Sequence, residues 1–187
     1  IMYSQRGQLT LAHTDATVRA FRQRAEVNKH FGGRTELIDR QAVGELVPSL
    51  NLDPAGLPIL AGLWHLDGAT ARHDAVVWGY AKGATQRGVE LHQLTEVTGV
   101  DVEAGRVTGV QTNRGKVSCG CVVQAVSGLS ADVSRMAGFQ LPIVAYPLQA
   151  MVTQPVKPCL DPHVSSSALH CYVHQTSRGE IVIGGGS

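Results

Sequence analysis

The chain has 187 residues, 43% of them hydrophobic and 17% charged, with a net charge of +1. That length supports one domain burying about 70% of its unfolded surface, and the even charge balance excludes the basic face that nucleic acid demands and an acidic-partner surface. No apolar stretch reaches the ~18 residues of a membrane span, and no charged-then-apolar leader opens the chain, which predicts a soluble, cytoplasmic protein.

Leu9 and Leu11 alternate with polar neighbours in a short strand, after which Thr14 or Asp15 caps a helix from about Ala16 to His30. Val18, Phe21 and Ala25 give that helix an apolar stripe, and Gly32-Gly33 ends it. Asp39 caps a short helix through Leu46, stopped by Pro48; residues 51–58 form a loop and Leu60 to Leu66 a strand. Asp74 to Arg87 reads as a helix with Val77, Tyr80, Ala81 and Ala84 on one face and Gly88 as its stop.

Strands follow at Val89–Leu94, Glu96–Val102, Arg106–Thr112 and Lys116–Ala125, the last three joined by Glu103-Ala104-Gly105 and Asn113-Arg114-Gly115 into a β-meander. A short helix around Ser130 to Met136 leads to strands near Tyr146–Thr153, Ala168–His174 and Glu180–Ile183. Interspersed strands and helices without a repeat give a mixed α and β class, α+β or mixed α/β. The opening Ile1-Met2-Tyr3 reads as the middle of an element, and the tail as a strand meeting a glycine turn. The chain therefore reads as an internal fragment.

Cys119, Cys121, Cys159 and Cys171 make no disulfide framework; Cys119 and Cys121 read as small apolar side chains sharing one strand face. His170, Cys171 and His174 are conceivable metal ligands, but no second ligand pair stands at metal spacing, and no metal site is assigned. No Gly-x-Gly-x-x-Gly follows a strand, so the N-terminal Rossmann βαβ unit that holds a dinucleotide pyrophosphate is absent.

His73 is the most informative residue, because it stands where a helix begins. The positive end of the helix dipole and the neighbouring Arg72 disfavour the imidazolium, leaving a neutral, nucleophilic ring. Such a ring either caps the helix or bonds to a phosphorylated cofactor drawn to the helix end. Arg72 is either a flavin contact or a solvated first-turn arginine, and Asp74 complements the dipole.

The run Ala71-Arg72-His73-Asp74-Ala75-Val76-Val77-Trp78-Gly79-Tyr80-Ala81 resembles the D-amino-acid-oxidase-like family of FAD-dependent oxidoreductases, and within it the beta-subunit branch of heterotetrameric sarcosine oxidases. Similarity extends over Met2 to Gly7, Leu37 to Pro48, Val89 to Gly138 and Gly179 to Gly186. The resemblance implies a substrate-domain mixed sheet with flanking helices (residues 1–70 and 140–187). A helix, β-meander and glycine turn of the FAD-binding portion would occupy residues 71–139. It also implies oxidative demethylation of sarcosine: hydride to noncovalent FAD, electrons to FMN bonded covalently to His73, then oxygen reduced to hydrogen peroxide. Alpha, gamma and delta subunits are the implied partners and a small amine the substrate, while nothing is implied for NAD. As a fragment, the chain by itself is expected to be inactive.

By the same resemblance, Val97 of Glu96-Val97 meets the FAD adenine through its backbone. Ala125 and Gly128 of a buried strand and tight turn, Val122 to Gly128, approach the FAD, although Val126 departs from the family's Ala-Ala-Gly. Tyr172 lines the amine pocket, and Gly184 and Gly185 bring backbone close to flavin or substrate. Outside the resemblance, a strand valine or tyrosine is ordinary packing and a glycine run a flexible turn. Other family amine dehydrogenases, acting on dimethylglycine or proline, would share the meander and the glycines. A catalytically empty binding module remains the reading from a different class.

Overall fold

The computed structural model describes residues 3–186, so the readings that rest on Ile1, Met2 and Ser187 lie outside the described residues. Its strands are β1 (Tyr3–Gln5), β2 (Gln8–Ala12), β3 (Thr35–Asp39), β4 (Ala61–His65), β5 (Ala69–Ala71) and β6 (Val97–Glu103). They continue as β7 (Arg106–Thr112), β8 (Gly115–Ser118), β9 (Gln149–Val152), β10 (His163–Ser166), β11 (Cys171–Gln175) and β12 (Ile181–Gly185). The α-helices are α1 (Asp15–His30), α2 (Arg40–Leu46), α3 (His73–Thr85) and α4 (Ser130–Met136). Two compact units form, one from the residues up to Gly79 with those from Leu148 onward, the other from Tyr80 to Pro147.

In the first unit, a seven-stranded sheet runs β3-β4-β2-β10-β11-β12-β9. The β10 strand lies parallel to β2, with Val164 beside Leu9, and the other neighbours are antiparallel. Strand alternation sends Leu9 and Leu11 to one face, where they pack with Val43 and Val47 from α2 and its C-terminus and with Val164. On the other face Ala12 and Leu63 meet Phe21 and Ala25 of α1. Side chains as fully buried as Leu9 and Val43 contribute about 2 kcal/mol each.

Local chemistry sets where the helices begin. Thr14, not Asp15, caps α1, its hydroxyl accepting the Thr17 N–H at 3.1 Å. Asp39 caps α2 as expected, accepting the Ala42 N–H at 2.9 Å. Two polar side chains then lock loops onto the sheet. His13 is buried with Nδ1 3.2 Å from the Leu57 and Pro58 carbonyls and Nε2 2.9 Å from the Ser166 hydroxyl. Because a carbonyl only accepts, Nδ1 carries the ring proton and Ser166 donates to Nε2. Gln175 accepts from the Cys159 and Leu160 N–H groups and donates to the carbonyls of Val156, Lys157 and Gly179.

The α3 helix closes as its sequence predicts. Gly88, at φ +83°, donates to Thr85 O, and Val89 donates to Ala84 O, the paired bonds of a glycine-terminated helix. Its expected apolar face is not packed, however: α3 contains no buried residue, and Val77 and Tyr80 are exposed. Periodicity identified the helix but not a partner for that face.

In the second unit β6, β7 and β8 form the predicted meander. Ala104 and Gly105 both take positive φ at the first turn, as a tight hairpin requires. Two expected strands fail. Val89–Leu94 is irregular and exposed, and the last meander strand stops at Ser118, leaving 119–126 outside any ladder. Cys119 and Cys121 therefore share no strand face, and Val122 to Gly128 is not a buried strand. Apolar composition alone does not hold a strand that has no neighbour to bond. No helix among the described residues is long and apolar enough to cross a membrane.

Candidate functional site

His73 is the first residue of α3, separated from β5 by Arg72 alone, and its side chain is exposed. Its imidazole makes no hydrogen bond to the α3 backbone, and that separates it from a cap. Asp74 occupies the capping role instead: it accepts the Ala75 N–H at 2.8 Å and pairs with Arg72 at 2.6 Å. Arg72, then the Ala75 N–H, hold the Asp74 carboxyl below its usual range. The junction thus offers an imidazole without a described partner beside a fixed guanidinium.

Tyr172 and Gly184, chosen separately from sequence, face one another across the β11–β12 ladder. A methyl group on Gly184 would overlap the Tyr172 ring, so the missing side chain is what lets the phenol lie over β12. Two residues complete this face: His174, weighed from sequence only as a metal ligand, and His163, which the sequence did not single out. His163 stacks on Tyr172 with ring centroids 5.5 Å apart, and His174 stacks on His163 at 5.6 Å and on Tyr172 at 6.2 Å. The spacing of Tyr172 and His174 put both on one strand face and was legible; His163 required the β10–β11 register. Gly184 and Gly185 also line a cavity of about 330 Å³ with Met151, Cys171 and Ile183.

The same alternation sends Cys171 and His174, which stand an odd number of residues apart, to opposite faces of β11. Among the described residues no group of three or more His, Cys, Asp or Glu side chains is placed to hold a metal ion.

Burial pushes the His163 and His174 pKa values below 6.5, and His163 is lowered further by its neighbour His174. The folded state therefore disfavours their protonation. Their contribution to stability is complete above the unfolded value near 6.5 and is lost as pH falls through the depressed folded values. Thermal unfolding of the full-length protein should show a falling midpoint below that pH, and His163→Gln with His174→Gln should flatten the fall. An unchanged slope in the double variant would show that the rings are not the titrating groups.

In the second unit Val97 opens β6, an edge strand of the meander, with a bulge between Val97 and Gly99. An edge leaves backbone N–H and C=O groups without a strand partner. Ala125 and Gly128 are exposed, and the turn between them takes its left-handed residue at Ser127, φ +49°, not at Gly128.

Mixed sheets with few helices are the fold of a flavin-dependent oxidoreductase. The chain belongs to the family described as FAD dependent oxidoreductase, whose model matches residues 1–187. It is 43% identical over 187 residues to the sarcosine oxidase subunit beta of Rhodobacter capsulatus, covering 100% of this chain and 45% of that protein. It is 46% identical over 184 residues to the same subunit of Rhizobium meliloti, covering 98% of this chain and 44% of that one. The chain thus spans under half the length of these relatives. Among solved structures, L-proline dehydrogenase from P. horikoshii matches with TM-score 0.86 and 32% identity, over 99% of this chain and 50% of that one. Glycine oxidase from Bacillus cereus shares the fold at TM-score 0.76 and 20% identity, over 98% of this chain and 48% of that one.

Proposed function

We propose that the chain is the central part of a cytoplasmic flavin-dependent amine oxidase that oxidatively demethylates sarcosine. It would serve as the beta subunit of an assembly with alpha, gamma and delta subunits. The carrying observation is an exposed, non-capping His73 inside the Ala-Arg-His-Asp run of a chain so similar to sarcosine oxidase beta subunits. When bound, the flavins supply the redox chemistry: noncovalent FAD as hydride acceptor, and FMN on His73 as carrier of the electrons to oxygen, which leaves as hydrogen peroxide.

The chain's own residues have distinct tasks in this reading. His73 would hold the FMN through a ring nitrogen, a role its lack of a described partner suits. Arg72, fixed by Asp74, sets a positive charge beside that bond. Backbone groups of Val97, and the exposed segment holding Ala125 and Gly128, would hold the FAD. Tyr172 orients the amine from its seat over Gly184, while neutral His163 and His174 place no cation there to repel an ammonium substrate. Residues 1–70 and 140–187 form the substrate-facing portion and residues 71–139 the FAD-binding portion.

A second reading, a dehydrogenase acting on proline, draws support from the backbone match to the P. horikoshii enzyme. The higher identity to the beta subunits favours sarcosine. The full-length protein with its partner subunits should consume oxygen and release peroxide on addition of sarcosine. Oxidation of L-proline through an artificial acceptor, with no peroxide from sarcosine, would transfer the assignment to the second reading.

A further inference from the structure

A separate cavity of about 340 Å³ in the first unit is lined by Ser4, Thr70 and Arg72 from the β1–β5 ladder and its end, and by His174, Ser177 and Arg178 from β11 and the turn after it. No Asp or Glu lines it. Asp74 engages one Nη of Arg72 at 2.6 Å, and Glu180 lies 3.1 Å from Nε of Arg178. A guanidinium carries more N–H donors than one carboxylate uses, so each arginine keeps a free edge. His174 adds a third donor. Its Nδ1 is sealed from solvent without a hydrogen-bond partner, which leaves Nε2 as the nitrogen that meets the cavity. With the ring proton on Nε2 that hydrogen is a donor open to the cavity, whereas on Nδ1 it would be a buried, unpaired donor.

A cavity whose charged and imidazole groups all donate lacks only an acceptor. We propose that it binds a small oxyanion, a carboxylate or a phosphate, clamped between Arg72 and Arg178, with His174 Nε2–H and the hydroxyls of Ser4 and Thr70 completing the shell. The paired N–H donors of a guanidinium suit the paired oxygens of such an anion. The proposal does not depend on a flavin at His73.

Phenylglyoxal modification of guanidinium groups in the full-length protein, read peptide by peptide by mass spectrometry, tests it. The reagent is applied in acetate, in inorganic phosphate and in chloride at equal ionic strength. At an anion concentration about ten times Kd, modification of both Arg72 and Arg178 should slow about tenfold relative to chloride. The exposed Arg24 and Arg114 should show no such protection. Arg178→Gln should abolish protection at Arg72, and Arg72→Gln should abolish it at Arg178; both side chains are more than half exposed, so these variants keep the fold. Protection by acetate identifies a carboxylate site, and protection by phosphate alone a phosphate site. Equal modification in all three salts, or protection of Arg72 that survives Arg178→Gln, overturns the proposal.

Discussion

In the assembled protein, His73→Asn should abolish covalent flavin while leaving the fold and the noncovalent FAD in place. Acid-precipitated wild-type subunit should stay yellow and fluoresce on a denaturing gel, and the Asn variant should be colourless. The expectation is all-or-none because an amide nitrogen lacks the nucleophilic lone pair of an imidazole. The structure also limits the cost to the fold. The His73 imidazole makes no bond to the α3 backbone, and Asp74 already serves the helix start, accepting the Ala75 N–H. The exposed substitution should therefore change stability by no more than about 0.5 kcal/mol. Wild-type subunit that emerges from denaturation free of flavin would refute the role assigned to His73.

The largest stability effect is expected at Gln175, which no sequence argument singled out. It is buried, and its amide bonds both backbone donors and carbonyls of the 156–160 segment while also holding Gly179 O. Gln175→Leu keeps much of the volume but strands those groups, some of them away from water. Leaving buried donors and acceptors unpaired should cost about 3 kcal/mol in total. For a protein of this size that corresponds to a midpoint lower by about 6–12 °C. Gln175→Glu should be no better, since a carboxylate offers oxygen where Nε2 now faces three carbonyls. A loss below about 1 kcal/mol in Gln175→Leu would mean that water replaces the amide without penalty.

Much of this architecture is written in local sequence. Thr14 and Asp39 start α1 and α2 because a short oxygen-bearing side chain reaches an N–H three residues on. Gly88 ends α3 and Ala104-Gly105 turns the meander because few residues tolerate a positive φ. The Ala-Arg-His-Asp run marked His73, and the family followed from that run and its surroundings. Such features act over a few residues, within reach of a reader of the chain.

What depends on distant partners was not legible. The β10 strand acquires its meaning only beside β2, more than a hundred residues earlier in the chain, and that pairing with the β10–β11 register brings His163 onto Tyr172. Val89–Leu94 and residues 119–126 have strand-like composition yet no ladder, since a strand is stabilised by its neighbour and not by its own side chains. The sequence by itself determined the helix ends, the tight turns, the family and the histidine at the start of α3. Tertiary structure alone decided which polar groups meet: Tyr172 over Gly184, Gln175 against its loop, Arg72 and Arg178 on one cavity. The reason is physical, because caps and turns are settled by local dihedral angles and nearest hydrogen bonds, whereas sheet register is settled by which distant faces bury together.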